Sequence, residues 1–423
     1  MSTTETGSGS RSCPTFEAFD PAGDAQIADP FTTWAIARQE APVFFSPVLN
    51  TYVVTRYDHL CEILTDAETF SSSDILRPLK PNPPEVDEIL ATGFDATKMG
   101  AMVMYDAPEH SNLRRATAAA FTPRRVAVLE DEVRAAAEEY IDAIIATGPS
   151  VDFVEAFAYP LPLRIIARLL GVPWEDAVKL HEWAIAKLAL QFGDMALDEH
   201  IEMARRFVEF QGYAYALIEE RRAAPKDDLI SSMVLFETDA GEPLDDLVLV
   251  GQVIGLVMAG HETVTTMLTT GLYHLLEDRS QWDALRANPE LAVAATEEAL
   301  RFDGPVKLLF RRPTRDVELG GCSIPEGAKI AIVLGSGNRD ELAFTAPERF
   351  DIHADRSRQH LAFGRGPHYC VGASLARAEG RIAFQRLSER LPSLRFEAGA
   401  PLEFARNVSV RMPLALHVEW DPR

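Results

Sequence analysis

One stretch, Leu244 to Leu276, reads as a single long helix that is apolar on nearly all sides. A helix without a polar face has to be buried. Its best apolar run, Leu247 to Ala259, is broken by Gly251, Gln252 and Gly255. No segment reaches the roughly 20 apolar residues that a membrane span needs, so the stretch is expected to be the core helix of a protein that does not enter a membrane. Within it sits Met258-Ala-Gly-His-Glu-Thr-Val264. An ionisable Glu262 in an apolar helix, close to a helix-weakening Gly260, is a costly arrangement. For the neighbouring Thr263 a bland reading stays open, in which its hydroxyl bonds back to a carbonyl one turn earlier.

The second constraint is the stretch from His360 to Ser374, centred on Cys370. A loop loosened by Gly364 and Gly366 runs into a single cysteine, and Gly372 follows. Beyond it Leu375, Ala376, Ala378, Ile382, Ala383, Phe384 and Leu387 recur at helical spacing. Cys370 is thus expected at or just before a helix N-terminus, where free N–H groups and the macrodipole favour a thiolate. Glycines on both sides let a flat, bulky group approach the backbone. One thiolate with no second cysteine nearby suits a single axial metal bond, not a zinc cage of about four ligands. A small buried hydrophobe is the competing reading for any lone cysteine. His368 finds no partner pair with ligand spacing elsewhere.

Composition narrows the class further. The chain has 423 residues, 47% of them apolar and 25% charged, ordinary values for a soluble globular protein. A net charge of −23 argues against a general nucleic-acid binder. Cys13, Cys61, Cys322 and Cys370 are scattered without framework spacing, which suggests unpaired thiols in a reducing, cytoplasmic compartment. Met1 to Ser12 is polar, lacks an apolar signal-peptide core and is expected to be disordered.

Taken together, Phe363-Gly-Arg-Gly-Pro-His-Tyr-Cys-Val-Gly372 resembles, position by position, the haem-binding signature of the cytochrome P450 family. The resemblance implies that Cys370 is the axial ligand of a haem b (iron protoporphyrin IX), with Phe363 and Gly364 beside the sulfur and His368 on a propionate. Ala259-Gly-His-Glu-Thr263 resembles the family's oxygen-activation motif. There Ala259 and Gly260 open a groove over the iron, Thr263 orders a water or donates to bound O2, and Glu262 relays protons. Asp106-Ala-Pro-Glu-His-Ser-Asn-Leu-Arg-Arg115 resembles the stretch whose His110 and Arg114 hold propionates, and Arg311 matches a third propionate ligand, with the adjacent Arg312 as the alternative. Glu298 and Arg301 match the family's structural Glu-x-x-Arg pair.

The rest of the chain is read around these motifs. Phe44-Phe45 and Thr51 to Thr55 are expected as strands, and Asp58 and Asp106 as helix caps. Helices are expected over Leu129–Ile145, Leu161–Leu170, Trp174–Phe192 and Asp198–Arg222, with no continuous helix in the proline-rich stretch from Ser71 to Met99. That stretch is a candidate lid over the substrate. Candidate pocket residues are Ile75, Leu76, Leu188, Phe192, Val257, Lys307, Leu308, Leu309 and Val408; Lys307 could meet an anionic group.

The fold implied is mainly α with a small β portion, a tail over 1–30 and a single haem domain over 31–423. The activity implied is a haem-thiolate monooxygenase. It would insert one atom of O2 into a small, mostly apolar substrate, by hydroxylation or by O- or N-dealkylation. Electrons would come from a separate ferredoxin or flavodoxin, docked near Arg115, Arg124 and Arg125, whose reductase draws on NAD(P)H. No flavin or dinucleotide fingerprint occurs in the chain, which is expected to be a monomer. The alternatives are a peroxide-driven peroxygenase and a non-catalytic haem-thiolate sensor or carrier.

Overall fold

The computed structural model describes residues 13–73, 75, 81–96, 98–193, 195–354, 359–399 and 402–421. The expected tail Met1 to Ser12 and the pocket candidate Leu76 lie outside the described residues. The long helix runs from Asp246 to Glu277, and the Asp245 carboxylate accepts hydrogen bonds from the first free amides, Leu247 N and Val248 N. Between 249 and 272 every residue is buried except Gly255, Ala259, Gly260 and Thr263. These four recur at helical spacing and so form one stripe. The helix is long and apolar enough to cross a membrane, with a mean hydropathy of 1.6 over its best window, which corrects the expectation that no segment would qualify. Two thirds of that window is buried within the protein instead.

The cover is supplied by helices. Pro160–Leu170, Leu197–Ala223, Ala292–Asp303 and Ala373–Arg390 all pack on the central helix. Pro123–Thr147 packs behind Ala373–Arg390, and Ala177–Phe192 lies against Leu197–Ala223. One further crossing is very close. A Cβ on Gly251 would meet Gly100 N at 2.8 Å and Met99 C at 2.9 Å, so only glycine lets this backbone pass.

The main sheet has five short strands: β1 (Val43–Ser46), β2 (Thr51–Val54), β3 (Phe70–Ser71), β4 (Leu309–Pro313) and β5 (Ile330–Ile332). Their order is β1-β2-β5-β4-β3. The β2–β5 pair is parallel, Tyr52 opposite Ile330, and its neighbours are antiparallel. Strand alternation puts successive side chains on opposite faces. On β4 it buries Arg311, while Arg312 reaches the Gly327 carbonyl.

Several sequence expectations are corrected. The ordered body begins well before Phe31: Phe19 is fully buried against Phe44, and Thr15 bridges to Phe45. Cys13 and Cys322, 309 residues apart, form a disulfide, so the expectation of unpaired thiols fails for these two. A spacing rule sees only local frameworks and is blind to such a separation. The proline-rich stretch has no continuous helix among its described residues, as expected, but it holds a short one, Pro84–Leu90, with proline in its first turn, packed on Leu197–Ala223. Asp58 is not a cap; Tyr57 N at that helix start is held by the distant Asp340 carboxylate at 2.9 Å. Asp106 is not a cap either. The helix opens at Glu109, and the Asp106 carboxylate accepts from Ser72 N at 3.0 Å and from the Ser71 and Ser72 hydroxyls.

Glu298 and Arg301 are both buried and paired in a fork. Arg301 Nε donates to Glu298 Oε2 at 2.8 Å and Nη2 to Oε1 at 2.7 Å. The remaining guanidinium donors reach the carbonyls of Asn338, Pro347 and Arg349. Glu298 Oε1 also accepts from Asp351 N at 2.9 Å. One ion pair thereby fixes the irregular 338–351 segment that leads to the cysteine loop.

Candidate active site

A cavity of about 330 Å³ opens along the exposed stripe of the central helix. Gly255, Ala259, Gly260 and Thr263 line it, as do Phe363, Gly364, His368, Cys370 and Gly372 of the cysteine loop. His110, Arg114 and Arg311 also face it. Three separate sequence motifs therefore meet in one space.

The loop owes its path to two left-handed residues, Gly364 at φ +66° and Gly366 at φ +67°. A Cβ on Gly366 would also lie 2.5 Å from the Leu64 carbonyl oxygen. Cys370 N donates to Phe363 O at 2.9 Å and closes the loop just ahead of the helix Ala373–Arg390. Cys370 is exposed, and the space it is exposed to is the cavity. Burial pushes its thiol up, against the backbone N–H of Gly372, the charges of Arg114 and Arg377, and the N–H of Ala373. Those opposing groups are the ones that would favour a thiolate once a metal takes the sulfur.

The basic residues share an electrostatic need. The rings of His110 and His368 lie 4.0 Å apart, and His110 Nε2 is buried without a hydrogen-bond partner. His368 Nε2 is 3.1 Å from the Ser72 hydroxyl. Burial, reinforced by Arg114, lowers the His110 pKa. Burial, then His110 and Arg311, holds His368 down at about 3. Burial brings Arg311 down to about 10, with Asp106 opposing. Bases pushed toward neutrality mark a place short of negative charge. A macrocycle with two carboxylates would supply that charge and a partner for the orphaned His110 Nε2, and Cys370 would supply a sulfur ligand to its metal. The residues present fit a haem.

On the central helix, Thr263 Oγ1 donates to Ala259 O at 2.7 Å, so the back-bonded hydroxyl and the cavity-facing threonine are the same arrangement. Glu262 does not reach the cavity. It lies about 100° further round the helix, with its side chain 6% exposed. There Oε1 meets His181 Nδ1 at 3.3 Å and His261 Nδ1 at 3.1 Å. Burial would raise the Glu262 carboxyl, but the two histidines outweigh it and hold the group at about 2.

Of the pocket candidates, Leu188, Phe192 and Leu309 line the cavity. Ile75, Val257, Leu308 and Val408 are buried elsewhere. Val257 fails because it sits two residues from the stripe, on the far side of the helix. Lys307 is also buried away from the cavity, near Arg411 and Asp303; burial and Arg411 lower it to about 7. Val306, in the expected pocket-lining run up to Phe310, lines the cavity too, as do Met102, Val103, Gln252, Leu256 and Val410, which were not expected. Stepping back from Thr263 by threes and fours would have found Gln252 and Leu256; nothing local marked Met102 and Val103. Glu379, on the helix after Cys370, also reaches the cavity, and burial raises its carboxyl well above the ordinary range.

Comparison with known proteins agrees with this geometry. The cytochrome P450 family profile matches residues 183–392. Cytochrome P450 monooxygenase PikC of Streptomyces venezuelae is 35% identical over 94% of this chain and 92% of its own length. Mycinamicin IV hydroxylase/epoxidase of Micromonospora griseorubida is 35% identical over 88% and 90%. The solved structure of cytochrome P450 CREJ with (4-ethylphenyl) dihydrogen phosphate superposes with a TM-score of 0.90, at 31% identity over 96% of this chain and 100% of that one. The chain belongs to the cytochrome P450 family. It is a haem-thiolate monooxygenase, an oxidoreductase that incorporates one atom of O2 into an organic molecule.

Proposed function

We propose that the substrate is small and mostly apolar, and that it is oxidised between the central-helix stripe and Cys370, by hydroxylation or by O- or N-dealkylation. The observation that carries this reading is that Gln252 and Ser409, the polar side chains set among the apolar part of the wall, already have partners. Gln252 Oε1 accepts from Met102 N at 2.6 Å and its amide donates to Thr117 Oγ1 at 2.9 Å. Ser409 Oγ donates to Leu308 O at 2.7 Å. What remains toward a substrate is Met102, Val103, Leu188, Phe192, Leu256, Val306, Leu309 and Val410, an apolar surface that rewards apolar ligands.

Cys370 would hold the haem iron, with Phe363 and Gly364 beside it, and His110, Arg114, Arg311 and His368 would hold the propionates. When bound, the haem supplies reductive activation of O2. The chain's own part is proton supply and exclusion of water. Ala259 and Gly260 leave room along the stripe, and Thr263 Oγ1 would present a hydroxyl to the cavity. Glu262 would take protons through the partly exposed His181 and pass them, by side-chain rotation, to Thr263 Oγ1. Glu298 and Arg301 keep the loop in place. Electrons would come from a separate ferredoxin or flavodoxin, ultimately from NAD(P)H, to a monomeric cytoplasmic enzyme. For docking, Arg115 and Arg124 are both exposed, but Arg115 pairs with Asp239 and Arg125 with Asp227, both at 2.8 Å.

The test is a ferrous–CO difference spectrum of the wild type and Cys370→Ala, followed by titration of terpenoid, aromatic and fatty-acid ligands into the ferric protein. A red-shifted Soret band that disappears in the variant is expected, together with a spin-state change for apolar ligands. The same red-shifted band in Cys370→Ala would overturn the ligand assignment. Spin shifts confined to anionic ligands would overturn the apolar reading.

A further inference from the structure

Beside the central helix, three ligand-type atoms converge without satisfying one another. His181, His261 and Glu262 each offer one ligand atom, and these atoms all lie within 4.8 Å of one another. The contacts to the carboxylate oxygen are 3.3 and 3.1 Å, yet none of the three atoms makes a well-directed hydrogen bond. The tautomer of His261 sharpens the point. Its Nε2 lies 3.2 Å from the Tyr159 carbonyl oxygen, which can only accept, so the proton sits on Nε2. With its Nε2 proton turned to Tyr159, His261 presents Nδ1 beside a buried carboxylate, and a cation held between the two would satisfy both.

We propose that His181 Nδ1, His261 Nδ1 and Glu262 Oε1 form a binding site for a zinc-type divalent cation, outside the haem cavity. Two imidazoles and one carboxylate, with a fourth position left to water, are a donor set that zinc takes. Bonds of about 2.0–2.1 Å at tetrahedral angles place neighbouring ligand atoms about 3.3 Å apart, close to the two separations observed. The Tyr159 carbonyl fixes the His261 ring from behind, as outer partners of metal-bound histidines do. The His181 side chain is 23% exposed, which gives an ion a route from solvent. The consequence rests on the reading of Glu262 as proton carrier: a bound ion would occupy that carboxylate and slow turnover without touching the cavity.

The experiment uses the haem-loaded enzyme, stripped with a chelator, desalted and dialysed against micromolar zinc chloride, with bound zinc measured by mass spectrometry. One zinc per chain is expected in the wild type, with affinity weakened about tenfold or more in His181→Ala and Glu262→Gln. His181 is partly exposed and Glu262→Gln is isosteric, and the ferrous–CO spectrum and melting curve report whether each variant is folded. Equal zinc binding by the wild type and both folded variants overturns the site, as does failure of the wild type to retain zinc. Product formation is measured separately. Inhibition by zinc in the wild type that is lost in His181→Ala supports the regulatory consequence. Site-specific binding with unchanged turnover overturns that consequence and the proton-carrier reading, and leaves the metal site standing.

Discussion

Glu298 and Glu262 are both buried carboxylates on helices that flank the same cavity, and they are held in opposite ways. Glu298 meets a guanidinium that is always charged, in a two-pronged fork, with Asp351 N as a further donor. Glu262 meets two imidazoles at contact distance with poor direction. Charge-assisted, bidentate pairs combine energy with geometric fixity. A carboxylate held by rings that can lose a proton or rotate keeps the option of moving. The first arrangement is a strut, and the second leaves a carboxylate that can move.

Four substitutions would break or sharpen this contrast. The largest effect belongs to Glu298→Ala, which strands a buried guanidinium at a cost of about 3–5 kcal/mol. It should abolish recovery of folded, haem-loaded protein, read by haem content and thermal melting; a variant that melts like the wild type would refute the strut. Glu262→Gln should instead fold and bind haem, while substrate turnover falls on the order of 10²-fold. If it unfolds as Glu298→Ala does, the two carboxylates are not different in kind.

A third buried acid lies between these extremes. Asp303 pairs with the permanent charge of Arg411 at 3.0 Å and with His274 at 3.3 Å. Burial would raise its carboxyl, but Arg411, ahead of His274, outweighs burial and holds it at about 2, below the ordinary 3.8. Its contribution to stability is therefore present above about pH 4 and is lost as pH falls toward 2. Asp303→Asn should lower the melting temperature at neutral pH and flatten its acid dependence between those values. An unchanged acid limb would remove Asp303 from the account. The smallest structural effect is expected for Thr263→Ala, which loses one back-bonded hydroxyl, about 1 kcal/mol or less. Its melting temperature and CO spectrum should match the wild type while electrons are diverted to peroxide. Unchanged coupling would show that the hydroxyl on the stripe is idle.

What could be read from the sequence follows from how local each signal was. The central helix, the strands at Val43–Ser46 and Thr51–Val54, and the cysteine loop were legible because periodicity, turn glycines and a contiguous motif carry them. The Cys13–Cys322 disulfide, the Asp340 cap on Tyr57 and the His181–Glu262 contact join distant segments, and no spacing rule reaches them. The pocket fell between these cases. Its floor on the central helix could be extended by counting turns, but no local signal tells which way the backbone turns Lys307, Leu308 and Val408. Glu262 shows the same limit: adjacency to Thr263 in sequence placed it near the chemistry and also turned it about 100° away from the cavity.

The four-residue stripe on the central helix also constrains how this protein can change. Each residue added between the Asp245 cap and Thr263 would rotate everything beyond it by about 100°. A single insertion would swing the threonine into packed protein and present a neighbouring side chain to the cavity. Substitutions along this helix alter one contact each, whereas a change in its length reassigns every face at once. The helix works as a protractor, and the angle it measures depends on a residue count.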